Sequence, residues 1–166
     1  TPEPDLGMTE WQAGAQFLAA DGVQLHYRTA GSGPWLVCFH GFPTSCWDWH
    51  NLVPLLAAQR RVLLFDFPGY GLSAKPSSRD YSLLKQFDAA EALLHALGII
   101  EFDLLAHDMG NSVACELLHR VEAGTTALRP RSLTLLNGGL YMDLHQPVFT
   151  QRLLRTPILG ELTARL

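Results

Sequence analysis

The feature that most constrains this sequence is a corner of five residues, Ala106-His107-Asp108-Met109-Gly110, at which a strand pattern turns into a helix pattern. An apolar run over residues 102–106 comes before it. Apolar residues at helical spacing come after it, namely Val113, Leu117, Leu118 and Val121. A strand that passes directly into a helix strains the backbone of its corner residue and needs small residues on both sides. Ala106 and Gly110 meet that need, so the sequence predicts a nucleophile elbow with Asp108 where a serine hydrolase carries serine.

Asp108 has a second interpretation, because aspartate is also a favoured N-cap residue and complements the helix dipole. A capping side chain bonds to the first turn of its own helix. A nucleophile points out of the corner, toward N–H donors on a neighbouring loop. Aspartate tolerates the left-handed backbone of such a corner in either case, so the corner alone leaves both interpretations open.

Short apolar runs alternate with helical patterns along the rest of the chain, which predicts an α/β fold with a mostly parallel sheet flanked by helices. The predicted parallel strands lie at residues 35–39, 61–65, 102–106 and 132–136. The start of the chain differs, because Asp21-Gly22 is a strong hairpin-turn signal between residues 16–20 and 23–29. These two segments are therefore predicted to pair antiparallel.

A helix is predicted over residues 82–97, with Gly98 as its C-terminal cap. Five apolar residues follow helical spacing within it, namely Leu83, Phe87, Ala90, Leu94 and Leu97. This stripe is predicted to pack in the core.

The composition fits one globular domain and excludes several classes of partner. The chain has 166 residues, of which 48% are hydrophobic, and this is enough to bury one core of ordinary size. Its formal net charge of -4 provides no basic surface for nucleic acid or an anionic membrane. No apolar run approaches the roughly 20 residues that span a bilayer. The amino-terminal Thr1-Pro2-Glu3-Pro4-Asp5 is acidic, unlike the basic start of a signal peptide.

The cysteines and histidines predict neither disulfides nor a metal site. Three cysteines, Cys38, Cys46 and Cys115, lack both zinc-site spacing and the density of a disulfide-stapled domain. Reduced thiols in a cytoplasmic protein are therefore expected. Seven histidines are scattered without the spacing of a ligand motif. We expect no metal and no cofactor.

Two further segments follow predicted strands, at the edge where α/β sheets bind ligands. His40-Gly41-Phe42-Pro43 follows residues 35–39, and its glycine-containing turn can aim a backbone N–H at a developing oxyanion. Asp66-Phe67-Pro68-Gly69-Tyr70-Gly71-Leu72-Ser73 follows residues 61–65 and has the glycines and proline of a tight turn. Taken alone it is equally a structural loop, since its G-x-G is too short for a dinucleotide fingerprint.

Together these motifs resemble the α/β-hydrolase superfamily, and within it the aspartate-nucleophile branch that includes epoxide hydrolases and haloalkane dehalogenases. His40-Gly41-Phe42-Pro43-Thr44-Ser45-Cys46-Trp47-Asp48-Trp49 and Leu136-Asn137-Gly138-Gly139 look most like the mesoderm-specific transcript proteins of that branch. The likeness covers about residues 15–166. It implies a mostly parallel sheet with a helical cap inserted after the sixth strand. On that map residues 1–137 are the N-terminal part of the core, with about six strands, and residues 138–166 start the cap.

The resemblance implies a role for each motif. Asp108 would be the covalent nucleophile and would form an ester with a small apolar substrate. The backbone N–H groups of Phe42 and Met109 would form the oxyanion hole. The residues expected in the substrate pocket are His40, Trp47, Trp49 and His107. Large aromatic residues at such positions are more often ordinary core.

Epoxide hydrolysis is the favoured reaction. Phe42 in its His-Gly-Phe-Pro motif resembles the epoxide hydrolases, whereas the side chains of Phe42 and Met109 lack the N–H donors that hold a departing halide in dehalogenases. The alternatives are dehalogenation, a catalytically silent binding module, and acyl-ester hydrolysis with Ser112 as nucleophile. Ser112 is disfavoured because it lies inside the helix pattern and not at the corner.

The general base that ester hydrolysis requires is not identified in the sequence. In the resembled family it is a histidine near the carboxyl end of a longer chain. His145 and Asp143 are weaker alternatives for base and acid, and Tyr141 lies too close to the sixth strand to be assigned as an acid of the cap.

The fold is expected to need a further segment or a second chain. A sheet that ends at residues 132–136 leaves an apolar edge unpaired. A second apolar surface is predicted from Leu153, Leu154, Ile158, Leu159, Leu162 and Leu166. Apart from such a segment, a small apolar substrate is the expected partner.

Overall fold

The computed structural model describes residues 6–138 and Thr156. Almost the whole predicted start of the cap, residues 139–155 and 157–166, therefore lies outside the described residues. Four sequence predictions fall there, namely those for Tyr141, Asp143, His145 and the apolar residues from Leu153 to Leu166. They stay predictions, as does the domain boundary at residue 137.

The described residues form a six-stranded, mostly parallel sheet with the strand order β1-β2-β4-β3-β5-β6. The strands are β1 Gln16–Ala20, β2 Val23–Ala30, β3 Trp35–Phe39, β4 Arg61–Phe65, β5 Glu101–His107 and β6 Arg129–Leu136. β1 pairs antiparallel with β2, and β2 with β4, while the remaining pairs are parallel. The hairpin prediction is confirmed, because Asp21 and Gly22 both have positive φ, 50° and 70°, as a tight primed turn requires.

Two predicted strands begin earlier in the structure than the apolar pattern indicated, β5 by one residue and β6 by three. β6 starts at Arg129, three residues before Ser132. Arg129 and Pro130 pair with Glu101 and Phe102, and a register shift then separates them from the apolar part of the strand. The polar character of this first part explains why hydrophobicity alone did not predict it.

Four α-helices and one short 3-10 helix accompany the sheet in the described part of the chain. They are α1 Leu6–Ala13, the 3-10 helix Cys46–Trp49, α2 Val53–Ala57, α3 Leu83–Ala96 and α4 Met109–Glu122. Among the described residues, no helix is both long and apolar enough to cross a bilayer.

α3 lies within the predicted helix and is one residue shorter at each end. Gly98 has φ +69°, and the next N–H, that of Ile99, donates to the Leu94 carbonyl at 2.8 Å, so the predicted C-terminal cap is confirmed. Phe87, Ala90 and Leu94 are fully buried, and Leu97 packs against the same core while half-buried. The prediction for Leu83 is wrong. Its side chain is 42% exposed, because the buried face of α3 begins only at Gln86.

Apolar side chains cover both faces of the central strands. Val37 and Phe39 of β3 join the larger core cluster with α3 and α4, while Cys38 between them joins a second cluster with Trp49. β4 divides in the same way, because Leu63 and Phe65 belong to the larger cluster and Val62 and Leu64 to the smaller one. Near-continuous apolar runs are typical of parallel strands buried on both faces. This burial fixes the carboxyl ends of β3, β4 and β5 side by side.

The loop after β4 is held by the buried carboxylate of Asp66. Its Oδ1 accepts the Cys46 N–H at 2.8 Å, and its Oδ2 accepts the Leu72 N–H at 2.8 Å and lies 2.8 Å from Nδ1 of His26. Burial by itself raises the pKa of Asp66, but the hydrogen bonds from His26, Cys46 and Leu72 outweigh it and hold that pKa well below its usual range. The carboxylate thereby joins β2 to the loops that follow β3 and β4.

Gly71 allows the Asp66 carboxylate to lie against the loop, and replacing it tests this contact. It has φ +47°, and a Cβ at this position would overlap the Asp66 carboxylate. Gly98 also has positive φ, +69°, but a Cβ there would meet nothing within 4 Å. Gly98→Ala is therefore expected to lower the free energy of unfolding by about 1 kcal/mol, because alanine disfavours the left-handed backbone conformation. Gly71→Ala is expected to cost about 3 kcal/mol or more, because the carboxylate must also move.

Urea unfolding of the two variants and of the unaltered protein measures both losses. Gly98→Ala is the matched control for the backbone contribution. Equal losses in the two variants would contradict the assignment of Asp66 as the group that excludes a side chain at Gly71.

Candidate active site

Asp108 lies at the corner between β5 and α4 with strained backbone angles, φ +50° and ψ -115°. Its N–H donates to the Leu136 carbonyl at 3.0 Å, and its own carbonyl accepts the Asn111 N–H at 3.0 Å. The side chain makes no capping hydrogen bond to α4. Its Oδ1 instead accepts the backbone N–H of Phe42, at 2.8 Å, from the loop that follows β3. The helix-capping interpretation of Asp108 is therefore wrong.

Two glycines allow the loop after β3 to approach the corner. A Cβ on Gly110 would lie 2.8 Å from the Phe39 carbonyl oxygen and 2.9 Å from that of His40. A Cβ on Gly41 would lie 2.7 Å from the Cβ of Asp108. The sequence pattern predicted the need for a small residue at Gly110. It did not predict the contact between Gly41 and Asp108, which depends on how two loops far apart in sequence meet.

The two predicted oxyanion-hole residues belong to different segments, Phe42 to the loop after β3 and Met109 to the start of α4. The Phe42 N–H already bonds to Oδ1. Met109 is the first residue of α4, so its N–H is one of the helix-start donors that have no partner within the helix. No described residue donates a hydrogen bond to Oδ2 of Asp108. Among the described residues, one oxygen of the carboxylate is therefore held by the backbone and the other has no donor.

His40 is fully buried and holds two loops together. The Phe67 N–H donates to its Nε2 at 3.0 Å, so the ring proton sits on Nδ1, which lies 2.8 Å from the Gly41 carbonyl oxygen. Burial lowers the pKa of His40, although the Gly41 carbonyl and the Asp66 and Asp48 carboxylates act in the opposite direction. Both ring nitrogens contact the backbone, and His40 lines neither the cavity at His107 nor the cavity at Phe42.

Of the other three predicted pocket residues, two line a cavity and one does not. Trp49 and His107 line a cavity of about 450 Å³, together with Thr44, Asp48, Leu52 and Leu136. Trp47 does not line it. Its ring stacks on His50 with centroids 4.0 Å apart and contacts the edge of Trp11 at 5.0 Å. Trp47 thus packs between α1 and the loop, outside both core clusters, whereas Trp49 is buried in the smaller cluster, as the alternative interpretation of such aromatics as core anticipated.

A second cavity, of about 410 Å³, contains a residue that sequence reasoning missed as a functional candidate. It is lined by Phe42, Gly69, Tyr70, Lys75, Ser77 and Tyr81. The Tyr70 hydroxyl donates to Sδ of Met109 at 3.4 Å. Burial, and then the negative charge of Asp108, raise the pKa of Tyr70. The only sequence signal was a tyrosine between two glycines after a strand, in a segment that equally fits a tight turn.

One buried group of side chains among the described residues has the composition of a metal site, His26, Cys46 and Asp66, with ligand atoms within 4.8 Å of one another. Hydrogen bonding explains this group. Nδ1 of His26 lies 2.8 Å from Oδ2 of Asp66, which is hydrogen-bond distance. Burial raises the pKa of the Cys46 thiol, and a metal requires the thiolate. The three residues therefore belong to the network that holds the loops.

Comparison with known proteins gives matches over most of the chain. Residues 34–158 match the family model described as alpha/beta hydrolase fold. The mesoderm-specific transcript homolog protein of Bos taurus is 36% identical over 176 residues, covering 97% of this chain and 52% of that protein. A soluble epoxide hydrolase of Corynebacterium sp. is 40% identical over 94 residues, covering 57% of this chain and 32% of that protein.

Solved structures agree with these matches. Haloalkane dehalogenase DbeA from Bradyrhizobium elkani superposes with a TM-score of 0.79 at 32% identity, covering 90% of this chain and 52% of that one. The chain spans about half the length of the first curated relatives that it matches. The resemblance stated from the motifs, including the aspartate-nucleophile branch, is consistent with all three relatives.

The buried neutral His40 predicts a specific dependence of stability on pH. The folded-state pKa of His40 is lowered, so its contribution to the free energy of unfolding is fully present above the unfolded-state pKa of about 6.5. Below that value the unfolded chain binds a proton that the folded chain resists, and the contribution is lost as the pH falls toward the folded-state pKa. The free energy of unfolding is therefore expected to fall, through this residue, as the pH is lowered from 7.5 to 5.5. His40→Gln keeps an acceptor for the Phe67 N–H and is expected to remove this part of the pH dependence.

Urea unfolding at the two pH values measures the effect. His119→Gln, which changes an exposed histidine of α4, is the matched control and is expected to keep the full dependence of the unaltered protein. A His40→Gln protein that loses as much stability between pH 7.5 and 5.5 as the control would contradict the assignment.

Proposed function

The chain belongs to the α/β-hydrolase fold family, and from this we propose that it is part of a hydrolase in which Asp108 is the covalent nucleophile. One observation carries the proposal. The Asp108 carboxylate stands at a strained strand-to-helix corner with Oδ1 on the Phe42 N–H, and it does not cap α4. Strained backbone of this kind persists where the surrounding structure holds it, and it is concentrated at active sites.

The first step is attack by the free carboxylate oxygen. Oδ2 of Asp108 displaces an oxygen at a saturated carbon of the substrate, so an ester links the substrate to the enzyme. Oδ1 becomes the carbonyl oxygen of that ester and stays on the Phe42 N–H. The hydrogen bond therefore decides which of the two oxygens attacks.

The second step is hydrolysis of the ester. Water adds to Cγ of Asp108, and negative charge develops on Oδ1. The Phe42 N–H is aimed at that atom, and the Met109 N–H at the start of α4 is the second donor that we assign to the oxyanion hole. As the resemblance to the family implies, we assign the general base and its acid partner to residues outside 6–138. His40 is not the base, because both of its ring nitrogens contact the backbone.

An epoxide is the substrate class that these groups fit best. Phe42, Tyr70 and Tyr81 give the 410 Å³ cavity aromatic walls suited to a small apolar molecule. The match to a soluble epoxide hydrolase supports this choice. Dehalogenation is the second candidate, favoured by the superposition on a haloalkane dehalogenase. It ranks lower because the side chains of Phe42 and Met109 offer no N–H group to a departing halide.

Two other possibilities are outcomes of the test below. A catalytically silent binding module would react with no electrophile. Acyl-ester hydrolysis by Ser112 would require a nucleophile in the fourth residue of α4, where the backbone is helical and not that of a corner.

Isotope labelling in the full-length protein tests the covalent mechanism. A single turnover of an epoxide in ¹⁸O-labelled water is expected to leave label in the Asp108 carboxylate, because water attacks Cγ of the enzyme ester and not the substrate. The diol of that first turnover carries an unlabelled oxygen from Asp108. Mass spectrometry of the peptide that contains Asp108 measures the label.

Variants complete this test. Asp108→Asn is expected to form no covalent adduct and to lose at least about 10³-fold in turnover. Ser112→Ala is the control and is expected to keep both. Label found only in the diol, or adduct formation that depends on Ser112, would overturn the proposal, and absence of reaction across an epoxide series would favour the silent module.

A further inference from the structure

Asn111, a buried residue in the first turn of α4, lies beside the corner that presents Asp108. It is 1% exposed, and its Nδ2 donates to the Leu136 carbonyl oxygen at 3.0 Å. Burying a polar side chain costs free energy unless that side chain is hydrogen-bonded. We infer that Asn111 is a positioning residue, which holds the corner so that the Asp108 carboxylate stays on the Phe42 N–H. This inference rests on the proposed function.

Three hydrogen bonds form a closed ring around the corner. The Asp108 N–H donates to the Leu136 carbonyl oxygen at 3.0 Å, and Nδ2 of Asn111 donates to the same oxygen, also at 3.0 Å. The Asn111 N–H donates in turn to the Asp108 carbonyl oxygen at 3.0 Å. A carbonyl oxygen has two lone pairs, so Leu136 can accept both bonds at once. Asn111 is therefore bonded to Asp108 itself and to the acceptor of the Asp108 N–H.

The strain of the corner gives this ring its importance. Asp108 has φ +50° and ψ -115°, and a backbone of this kind persists only where the surrounding structure holds it. The amide of Asn111 keeps the Leu136 carbonyl in place as the acceptor of the Asp108 N–H. Without the amide, the end of β6 can move away from the corner, and the backbone of Asp108 can relax. The carboxylate would then shift relative to the Phe42 N–H, which belongs to another loop.

The side chain of Asn111 acts through its N–H group. Its acceptor is a backbone carbonyl oxygen, which only the nitrogen end of an amide can bond. Oδ1 of Asn111 has no hydrogen-bond partner among the described residues. Replacing the amide by a methyl group therefore removes one identified contact from the ring, and the two backbone bonds of the ring remain.

Gly138 leaves room for this amide where the chain passes beyond β6. A Cβ at Gly138 would overlap Nδ2 of Asn111, and the three nearest atoms that it would meet all belong to the Asn111 side chain. The φ of Gly138 lies outside the left-handed region, so alanine at this position brings no backbone strain. Gly138→Ala is therefore expected to push the amide away from the Leu136 carbonyl while residue 111 stays asparagine.

The amide proton of Phe42 reports on the corner without any turnover. In NMR spectra of the full-length protein, Asn111→Ala is expected to move this resonance upfield, because the bond to Oδ1 of Asp108 weakens. Gln86→Ala is the matched control. Gln86 is also a 1% exposed amide, and its Nε2 donates to the Pro68 carbonyl oxygen at 3.1 Å, outside the ring. This control is expected to lose stability by urea unfolding and to leave the Phe42 resonance in place.

Single-turnover mixing with styrene oxide, followed by mass spectrometry of the Asp108 adduct, measures the effect on chemistry. The maximal rate of ester formation in Asn111→Ala is expected to fall by about 10-fold to 10²-fold, since a reacting group misplaced by about 1 Å loses up to about 10²-fold in rate. Ester hydrolysis is expected to slow as well, because the Phe42 N–H serves that step too. The substrate concentration at half-maximal rate is expected to change little, because Asn111 lines neither cavity described above. Gln86→Ala is expected to keep the maximal rate.

A double-mutant cycle with Gly138→Ala identifies the amide as the group responsible. In the unaltered protein Gly138→Ala is expected to move the Phe42 resonance and slow ester formation, as Asn111→Ala does. In the Asn111→Ala protein the same change is expected to have no further effect, because the side chain that it displaces is gone. If Asn111→Ala does not fold, Gly138→Ala alone decides, and an unchanged resonance and rate in that variant overturn the inference.

The outcomes distinguish this inference from the proposed function. An unaltered protein that forms no Asp108 adduct overturns both. An adduct that forms equally fast in the unaltered and Asn111→Ala proteins overturns the role of Asn111 and leaves Asp108 as the nucleophile. Equal effects of Asn111→Ala and Gln86→Ala on the resonance and the maximal rate, or additive effects in the double-mutant cycle, assign Asn111 a structural role alone and also overturn the inference.

Discussion

The site depends on one contact, the hydrogen bond at 2.8 Å from the Phe42 N–H to Oδ1 of Asp108. It joins the loop after β3 to the corner after β5, two strands that pair in parallel and end at the same edge of the sheet. Gly41 and Gly110 permit it, because a Cβ at either position would lie within 3 Å of the opposing loop or corner. The strained backbone of Asp108 persists because this contact and the bond from its N–H to Leu136 hold the corner from both sides.

Two aspartates at this edge of the sheet illustrate how surroundings decide the role of one chemical group. Three groups lie at hydrogen-bond distance from the Asp66 carboxylate, a backbone N–H on one oxygen, and another N–H and the His26 ring on the other. It is buried and both of its oxygens are engaged, so it holds the loops and is not accessible to a substrate. The Asp108 carboxylate is only half-buried, with one oxygen held and the other without a donor among the described residues. The surroundings of Asp66 suit a structural role, and those of Asp108 suit the nucleophile that we propose.

The sequence predicted what depends on local pattern. Apolar runs located the strands, the residues beside Gly98 located a helix end, and the spacing around Asp108 located the corner. What the sequence did not predict has a different physical origin. Leu83 follows the helical stripe but lies before the part of α3 that packs, and His40 belongs to a motif of the site while its ring faces the backbone of another loop. Tyr70 was missed for the same reason. Contacts between loops distant in sequence depend on how the sheet arranges them, and no periodicity records this.

In the proposed mechanism the Phe42 N–H meets three different charges on the same atom, and this order explains why a fixed donor is useful. It first holds part of the carboxylate charge on Oδ1, which makes that oxygen the weaker nucleophile and leaves Oδ2 to attack. In the ester Oδ1 is only a polarised carbonyl oxygen, so the bond there is at its weakest. When water adds to Cγ, a full charge returns to Oδ1, and a donor that has not moved strengthens its bond with no cost of reorganisation. Because the bond strengthens between the ester and the tetrahedral intermediate, it lowers the barrier to hydrolysis rather than stabilising both states equally.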